Sequence, residues 1–460
     1  MYYTLKTLSN TLKLPYIVIS FYIIGLIGCS SDNELLPDEQ PIVNPEDSIE
    51  QNIYLKDNQW IYAQMNEHYL WRNDLPDSLS CDYSANPATF FKSLLSTKDR
   101  FSYCSINEYY SSESRAHNWG FAYQEYKTPI GDRLLQVLYV TSKELKNQNL
   151  RRGEWLRFIA NNTNKQEFER GILNNEGLFS PIDTIYSSRS GFNQQSTTVY
   201  LDSIYHIGGK RIGYLCYLQF EGTKDLEPSL KKFYENKIDE LVLDIRYNPG
   251  GYVSTCKYLC NSIVSEQAYG EIFQQCTYND RLSKKRLKET GSEISVEYYD
   301  EPTNGEAQVF SSQIYGLNLN HIYVLTSKNS ASASEATIVC LKPYTNSTII
   351  GEQTTGKGVG SYTIADNQYR YKLQPITMRY HNALMETTPD EGLIPDIEVS
   401  GGYETVKKEL GDINEPLLSK AIQCITTGNG GSDNNIETRS ASKGLIKVGQ
   451  PSFVKSLAEY

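Results

Sequence analysis

The stretch Leu241-Val242-Leu243-Asp244-Ile245-Arg246-Tyr247-Asn248-Pro249-Gly250-Gly251 decides the fold class of this 460-residue chain. Its first five residues form a short run without in–out alternation. That is the pattern of a strand buried on both faces, as parallel strands are when helices cover them. Pro249 and the paired glycines then turn the chain where the strand ends. Working outward, residues 199–207 and 212–220 read as strands and 226–236 as an amphipathic helix. Apolar runs recur at 321–326 and 348–351, each flanking helical stretches. Strands alternating with helices predict an α/β core with parallel strands and crossover helices over residues 186–427. In such folds the sites lie at the carboxyl ends of the strands, where Asp244 leads into the glycines.

The chain around this core is modular. Ile53, Trp60, Ile61, Met65, Tyr69 and Leu70, then Phe90, Phe91, Leu94 and Leu95, recur at helical spacing, so residues 51–108 read as a small helical domain. From Trp119 the pattern changes to alternation, and 109–185 reads as a β-rich module with a short helix at 168–173. Its turn Leu150-Arg151-Arg152-Gly153-Glu154 before an apolar strand resembles a PDZ domain. By that resemblance Gly120 and Phe121 belong to the loop that binds a peptide carboxylate through backbone N–H groups. The Gly/Asn/Asp/Ser stretch 428–435 reads as a linker and the remainder to 460 as a tail. The overall expectation is a multidomain α/β (α+β) protein.

The N-terminus reads as an export signal, residues 1–29. Lys6 and Lys13 precede an apolar run at 14–27 that is short for a membrane span and ends at small residues. Leu26-Ile27-Gly28-Cys29 resembles a bacterial lipobox. That resemblance implies lipidation at Cys29 and attachment to the bacterial outer membrane, on the periplasmic side or the cell surface. Residues 30–50, acidic and with Pro37, Pro41 and Pro45, read as a tether. The net charge of −11 argues against a nucleic-acid partner, which needs clustered Lys and Arg. The eight cysteines other than Cys29 show no disulfide framework, and most read as small core residues.

Two further segments carry chemistry. Ser332, in Ser330-Ala331-Ser332-Ala333-Ser334-Glu335, lies near the predicted start of a helix. There the N–H of Ala333 and the helix dipole favour developing negative charge. Lys357 lies between Gly356 and Gly358. A serine hydroxyl is a weak nucleophile until a neighbouring base takes its proton, and a lysine serves as base only if burial keeps its amine neutral. An N–H in the Gly250-Gly251 turn is a second candidate donor to an oxyanion. Gly351 and Gly356-Lys357 have the spacing of a nucleotide loop, but Gly358 stands where that loop needs a hydroxyl. His117 and His381 are alternative bases that nothing in the pattern places near Ser332. No His-Glu-x-x-His helix or metal-ligand cluster is legible, so neither metal nor cofactor is expected.

Together, Asp-x-Arg-x-Asn-x-Gly-Gly from Asp244, the Ser-Ala-Ser-Ala-Ser-Glu segment and Gly-Lys-Gly resemble the C-terminal processing peptidases, or tail-specific proteases. The resemblance covers most of residues 51–425, and Gly392-Leu393-Ile394-Pro395-Asp396 resembles a further family segment. It implies a ClpP/crotonase-like protease core, a polypeptide substrate, Ser332 as nucleophile and Lys357 as base. It also implies an oxyanion hole from the N–H groups of Ala333 and Gly251. In many members a Gln or Glu four residues after the lysine orients it; here that position is Ser361. This departure keeps a competing class in view, a peptide- or ligand-binding lipoprotein on the same scaffold with an idle dyad.

Overall fold

The computed structural model describes residues 53–107, 119–162, 165–174, 176–188, 198–303, 313–399, 407–428 and 444–455. Cys29 and His117, and with them the export signal and tether, lie outside these residues.

A six-stranded sheet runs through the core in the order Ile397–Glu398, Asn346–Gly351, His321–Thr326, Glu240–Asp244, Lys210–Tyr217, Val199–Ile207. Every pairing is parallel except the last, where a hairpin adds an antiparallel edge. Side chains alternate between its two faces. Leu215, Leu241, Leu243, Ile322, Val324 and Ile349 point to one side, where they pack on Leu226, Leu230 and Phe233 of the helix Leu226–Glu235 and on Val253–Ile263 and Ala333–Leu341. Tyr214, Cys216, Val242, Leu325 and Ile350 point to the other, against Leu417, Leu418 and Ala421 of the helix Pro416–Thr427. Both faces are covered, which is why these strands read as continuous apolar runs. The eight described cysteines are free thiols, six of them buried.

Residues 119–188 form an antiparallel meander of Phe121–Lys127, Arg133–Val140, Trp155–Asn162, Lys165–Leu173 and Phe179–Ser188, with one short helix, Lys143–Asn147. The helix expected at 168–173 is a strand. Gln166 and Phe168 face inward, and a register shift between Arg170 and Gly171 breaks the alternation beyond them. The tail is not wholly free: Ile446–Val448 extends this sheet by pairing with Phe121–Lys127, and Phe453 packs on the core. The N-terminal segment holds the helices Leu55–His68 and Pro87–Ser93, and also a strand, Tyr103–Ile106, which pairs with Tyr371–Gln374 of the core.

A buried ion network joins these parts. Arg246 donates from Nε to Asp244 (2.9 Å) and from both terminal nitrogens to Glu415, with Nη2 to Oε2 at 2.9 Å. Tyr214 donates to the second Asp244 oxygen at 2.7 Å. From the meander's turn, Arg152 approaches Glu415 at 3.7 Å and donates to the Tyr247 hydroxyl at 3.1 Å. Glu415 also caps the helix Pro416–Thr427, accepting the N–H groups of Leu417 and Leu418. Burial opposes ionisation of Glu415, but Arg246 and these hydrogen bonds hold its carboxyl down at about 2. The stabilisation is present above the ordinary carboxylate value and is lost as pH falls toward 2. Glu415→Gln leaves buried guanidinium charge uncompensated, and urea unfolding at pH 7 should show a loss of about 3 kcal/mol or more. The deficit relative to the parent should narrow as pH falls below 4.5.

Candidate active site

The site is built where two strands of the central sheet end. Glu240–Asp244 delivers the loop to Gly251, and His321–Thr326 delivers the loop to Ser332. Of the three serines at 330, 332 and 334, two are consumed by structure. Ser330 Oγ donates to the Ile245 carbonyl (2.8 Å) and Ser334 Oγ to the Asn248 carbonyl (2.7 Å), and both residues are fully buried. Ser332 is the one position between 330 and 341 that is not buried, and its hydroxyl donates to no acceptor among the described residues. Its backbone lies at φ 57°, ψ −115°, immediately before the helix Ala333–Leu341. That left-handed conformation costs a non-glycine residue roughly 1–3 kcal/mol, and it is the sort of strand-to-helix turn that thrusts a nucleophile outward.

The glycine loop lies directly against this turn. A Cβ on Gly250, whose φ is +110°, would stand 2.8 Å from the Ala331 carbonyl oxygen and from Ser332 Cβ. Asn248 shapes the loop by accepting the Gly250 N–H (2.9 Å) and donating to the Tyr217 carbonyl (3.0 Å). Gly251 bridges to Phe220. Neither the Ala333 nor the Gly251 N–H has an acceptor among the described residues, so both remain available as donors.

Glu335 joins the serine loop to the lysine loop. Its side chain is wholly buried, yet four groups donate to its carboxylate. Oε2 accepts the backbone N–H groups of Ser332 (2.9 Å) and Lys357 (2.8 Å). Oε1 accepts the Gly356 N–H (2.7 Å) and the Thr354 hydroxyl (2.5 Å). Burial raises its proton affinity, and these hydrogen bonds oppose that rise. Thr355 adds two ties, from its N–H to the Ser330 carbonyl (3.0 Å) and from its hydroxyl to the Lys328 carbonyl (2.8 Å). Leu393 brackets Thr354, donating its N–H to the hydroxyl at 2.7 Å and accepting the Thr354 N–H at 3.1 Å. This is the structural use of the 392–396 segment.

The Lys357 residue retains partial surface, but its amine lies in crowded surroundings. Burial lowers its proton affinity, while Glu335 and Asp99 work in the opposite direction. Its Nζ lies 5.3 Å from the Phe101 ring centroid and forms neither a hydrogen bond nor an ion pair among the described residues, Ser332 Oγ included. Ser361 lies elsewhere in the network: its hydroxyl accepts from Gln374 Nε2 at 3.0 Å. His381 lies on the strand Ile376–His381 opposite Gln275, with Nε2 3.3 Å from the Thr277 hydroxyl and no contact with Ser332. Gly120 turns the chain into the strand Phe121–Lys127, and its carbonyl accepts the N–H groups of Thr141 and Ser142.

Residues 211–399 match the model of peptidase family S41, and residues 56–103 match the S41 N-terminal domain, together just over half of the chain. The chain belongs to peptidase family S41. The 211–399 match runs from the Lys210–Tyr217 strand to the Ile397–Glu398 edge strand, so it encloses Ser332, Glu335 and Lys357. A curated relative is the carboxy-terminal processing protease CtpB of Bacillus subtilis (strain 168), 24% identical over 181 residues. That similarity covers 39% of this chain and 29% of the relative, so under a third of CtpB's length is represented. Among solved structures, one described as an S41 protease of Bacteroides fragilis NCTC 9343 superposes with a TM-score of 0.67 at 23% identity. It covers 80% of this chain and 97% of its own, a likeness of fold across the S41 architecture.

Glu335, Asp99 and Phe101 are not among the site residues expected from the sequence. Glu335 had a signal, since it ends the serine motif at the third helical position. Glu335→Gln keeps the shape but replaces one acceptor oxygen with a donor, leaving N–H groups at the Ser332–Lys357 junction unmatched. We expect a stability loss of about 2 kcal/mol in denaturant melts. Labelling of Ser332 by a fluorophosphonate should slow at least tenfold.

Proposed function

We propose that this S41 member is a serine endopeptidase that cleaves polypeptides near their C-termini through a Ser332–Lys357 dyad. The observation that carries this reading is the shared carboxylate oxygen. Glu335 Oε2 binds the backbone of both Ser332 and Lys357, so one rigid junction presents the accessible serine and the enclosed amine. Neutral Lys357 takes the proton from Ser332 Oγ as the oxygen attacks the scissile carbonyl carbon. The tetrahedral oxyanion is held by the N–H groups of Ala333 and Gly251. The lysine ammonium then protonates the leaving amine, and the C–N bond breaks to leave an acyl-enzyme. Water attacks the ester, Lys357 accepts its proton, and return of that proton to Ser332 Oγ frees the acid product.

The absence of a Ser332–Lys357 hydrogen bond fits a resting site that tightens when substrate arrives. In this reading the meander of residues 119–188 acts as a PDZ-like module, with Gly120 and Phe121 receiving the substrate's terminal carboxylate. Lipidation at Cys29 attaches the enzyme to the outer membrane.

Purified Ser332→Ala and Lys357→Ala should each lose peptide cleavage by a factor of about 10³ or more while keeping the parent circular dichroism spectrum. Turnover retained in the Ser332 variant would remove the assignment. Peptides differing only in a free or amidated C-terminus separate tail recognition from general proteolysis. The free acid should be cleaved with a kcat/KM at least tenfold higher.

A further inference from the structure

We propose that Asp99 and Phe101, carried by the N-terminal segment, are positioning residues that hold the protonated amine of Lys357 between proton uptake and proton donation. This rests on the Ser332–Lys357 reading above. A lysine base faces two opposite demands: it must be neutral to accept the serine proton, and its ammonium must then survive in the same enclosed space. Burial meets the first demand and works against the second.

The groups around Lys357 are few and can be named. Glu335 reaches it from the nucleophile helix, but its oxygens are committed to four donors. Asp99 stands two residues before Phe101 on the same segment and is bonded to its N–H, and its charge favours the ammonium. Phe101 presents its ring to Nζ at 5.3 Å, within the range of a cation–π contact. The Tyr380 hydroxyl lies 3.5 Å from the Lys357 carbonyl, and Asp390 is paired with Arg379 at 3.6 Å.

The segment bearing Asp99 and Phe101 is fixed on both sides. Asp99 Oδ1 accepts the N–H groups of Phe101 and Ser102, each at 2.9 Å. Asp99 Oδ2 accepts the hydroxyl of Tyr69, which is fully buried, at 2.8 Å. Between them, Arg100 Nη2 donates to the Gly356 carbonyl (2.7 Å) and the Asp390 carbonyl (2.6 Å), which fastens the segment to the lysine's own loop. A ring 5.3 Å from the amine, on a segment whose carboxylate carries three donors and whose arginine grips the lysine loop, forms a built surround for a cation, supplied from some 250 residues away in the sequence.

The test is a pH titration of Lys357 in the full-length protein labelled with [ε-13C]lysine, its resonance assigned with Lys357→Arg. Removing an anion or a ring face disfavours the ammonium, so Asp99→Asn and Phe101→Leu should both lower the midpoint. The expected shift is about half a unit to one unit for Asp99→Asn, a three- to tenfold loss of proton affinity. Tyr69→Phe, which removes one hydrogen bond and little packing, should shift it less in the same direction. The acid limb of Ser332 labelling by a fluorophosphonate should move to lower pH by the same amount. Coincident midpoints in folded Asp99→Asn, Tyr69→Phe and parent proteins would overturn the proposal. Parent protein that never labels at Ser332 would instead strike the dyad reading, while the lysine titration would still report on Asp99.

Discussion

The site depends on one buried carboxylate. Glu335 is taken wholly out of water, a costly place for a charge unless donors surround it. Here four donors do so, and each lies at a junction that must be rigid: Ser332, Thr354, Gly356 and Lys357. Without that carboxylate the serine turn and the lysine loop would be neighbours with no common anchor. The strained conformation of Ser332 persists because the surroundings over-determine it. Glu335 holds its N–H, Gly250 packs against its Cβ, and Ser330 and Ser334 fasten the chain on either side.

A second carboxylate does for the scaffold what Glu335 does for the site. Glu415 gathers Arg246 from the glycine loop, Arg152 from the meander and the first N–H groups of the last helix. The loop that presents the Gly251 N–H is therefore coupled to the orientation of the 119–188 module. Asp-x-Arg-x-Asn-x-Gly-Gly thereby divides its labour. Asp244 and Arg246 anchor the loop, Asn248 shapes it, and Gly250 makes room for Ser332.

Much of this was legible in the sequence where local pattern and tertiary context agree. The runs at 241–245, 321–326 and 348–351 announce strands because both faces of the sheet are buried. Ser332 stood out because it lies among small residues near the predicted start of a helix, with Lys357 between two glycines further on. The misread helix at 168–173 has a specific cause: Phe168, Gly171 and Ile172 mimic helical spacing only because a bulge at Arg170/Gly171 interrupts the alternation. The strand Ile446–Val448 is too short to show a period, and its partner lies some 320 residues away. Asp99 and Phe101 were invisible for the same reason. An acidic residue beside an arginine reads as surface until the fold carries its segment to the Lys357 loop.

The central claim is that Ser332 and Lys357 form one catalytic unit assembled on Glu335. A crystal structure of the protein after covalent reaction with a peptidyl phosphonate tests it most directly. The account predicts phosphorus bonded to Ser332 Oγ, a phosphoryl oxygen within about 3 Å of the Ala333 and Gly251 nitrogens, and Lys357 Nζ within hydrogen-bond reach of Oγ. A phosphoryl oxygen turned to solvent, or a Lys357 amine that stays out of reach of the adduct, would contradict it.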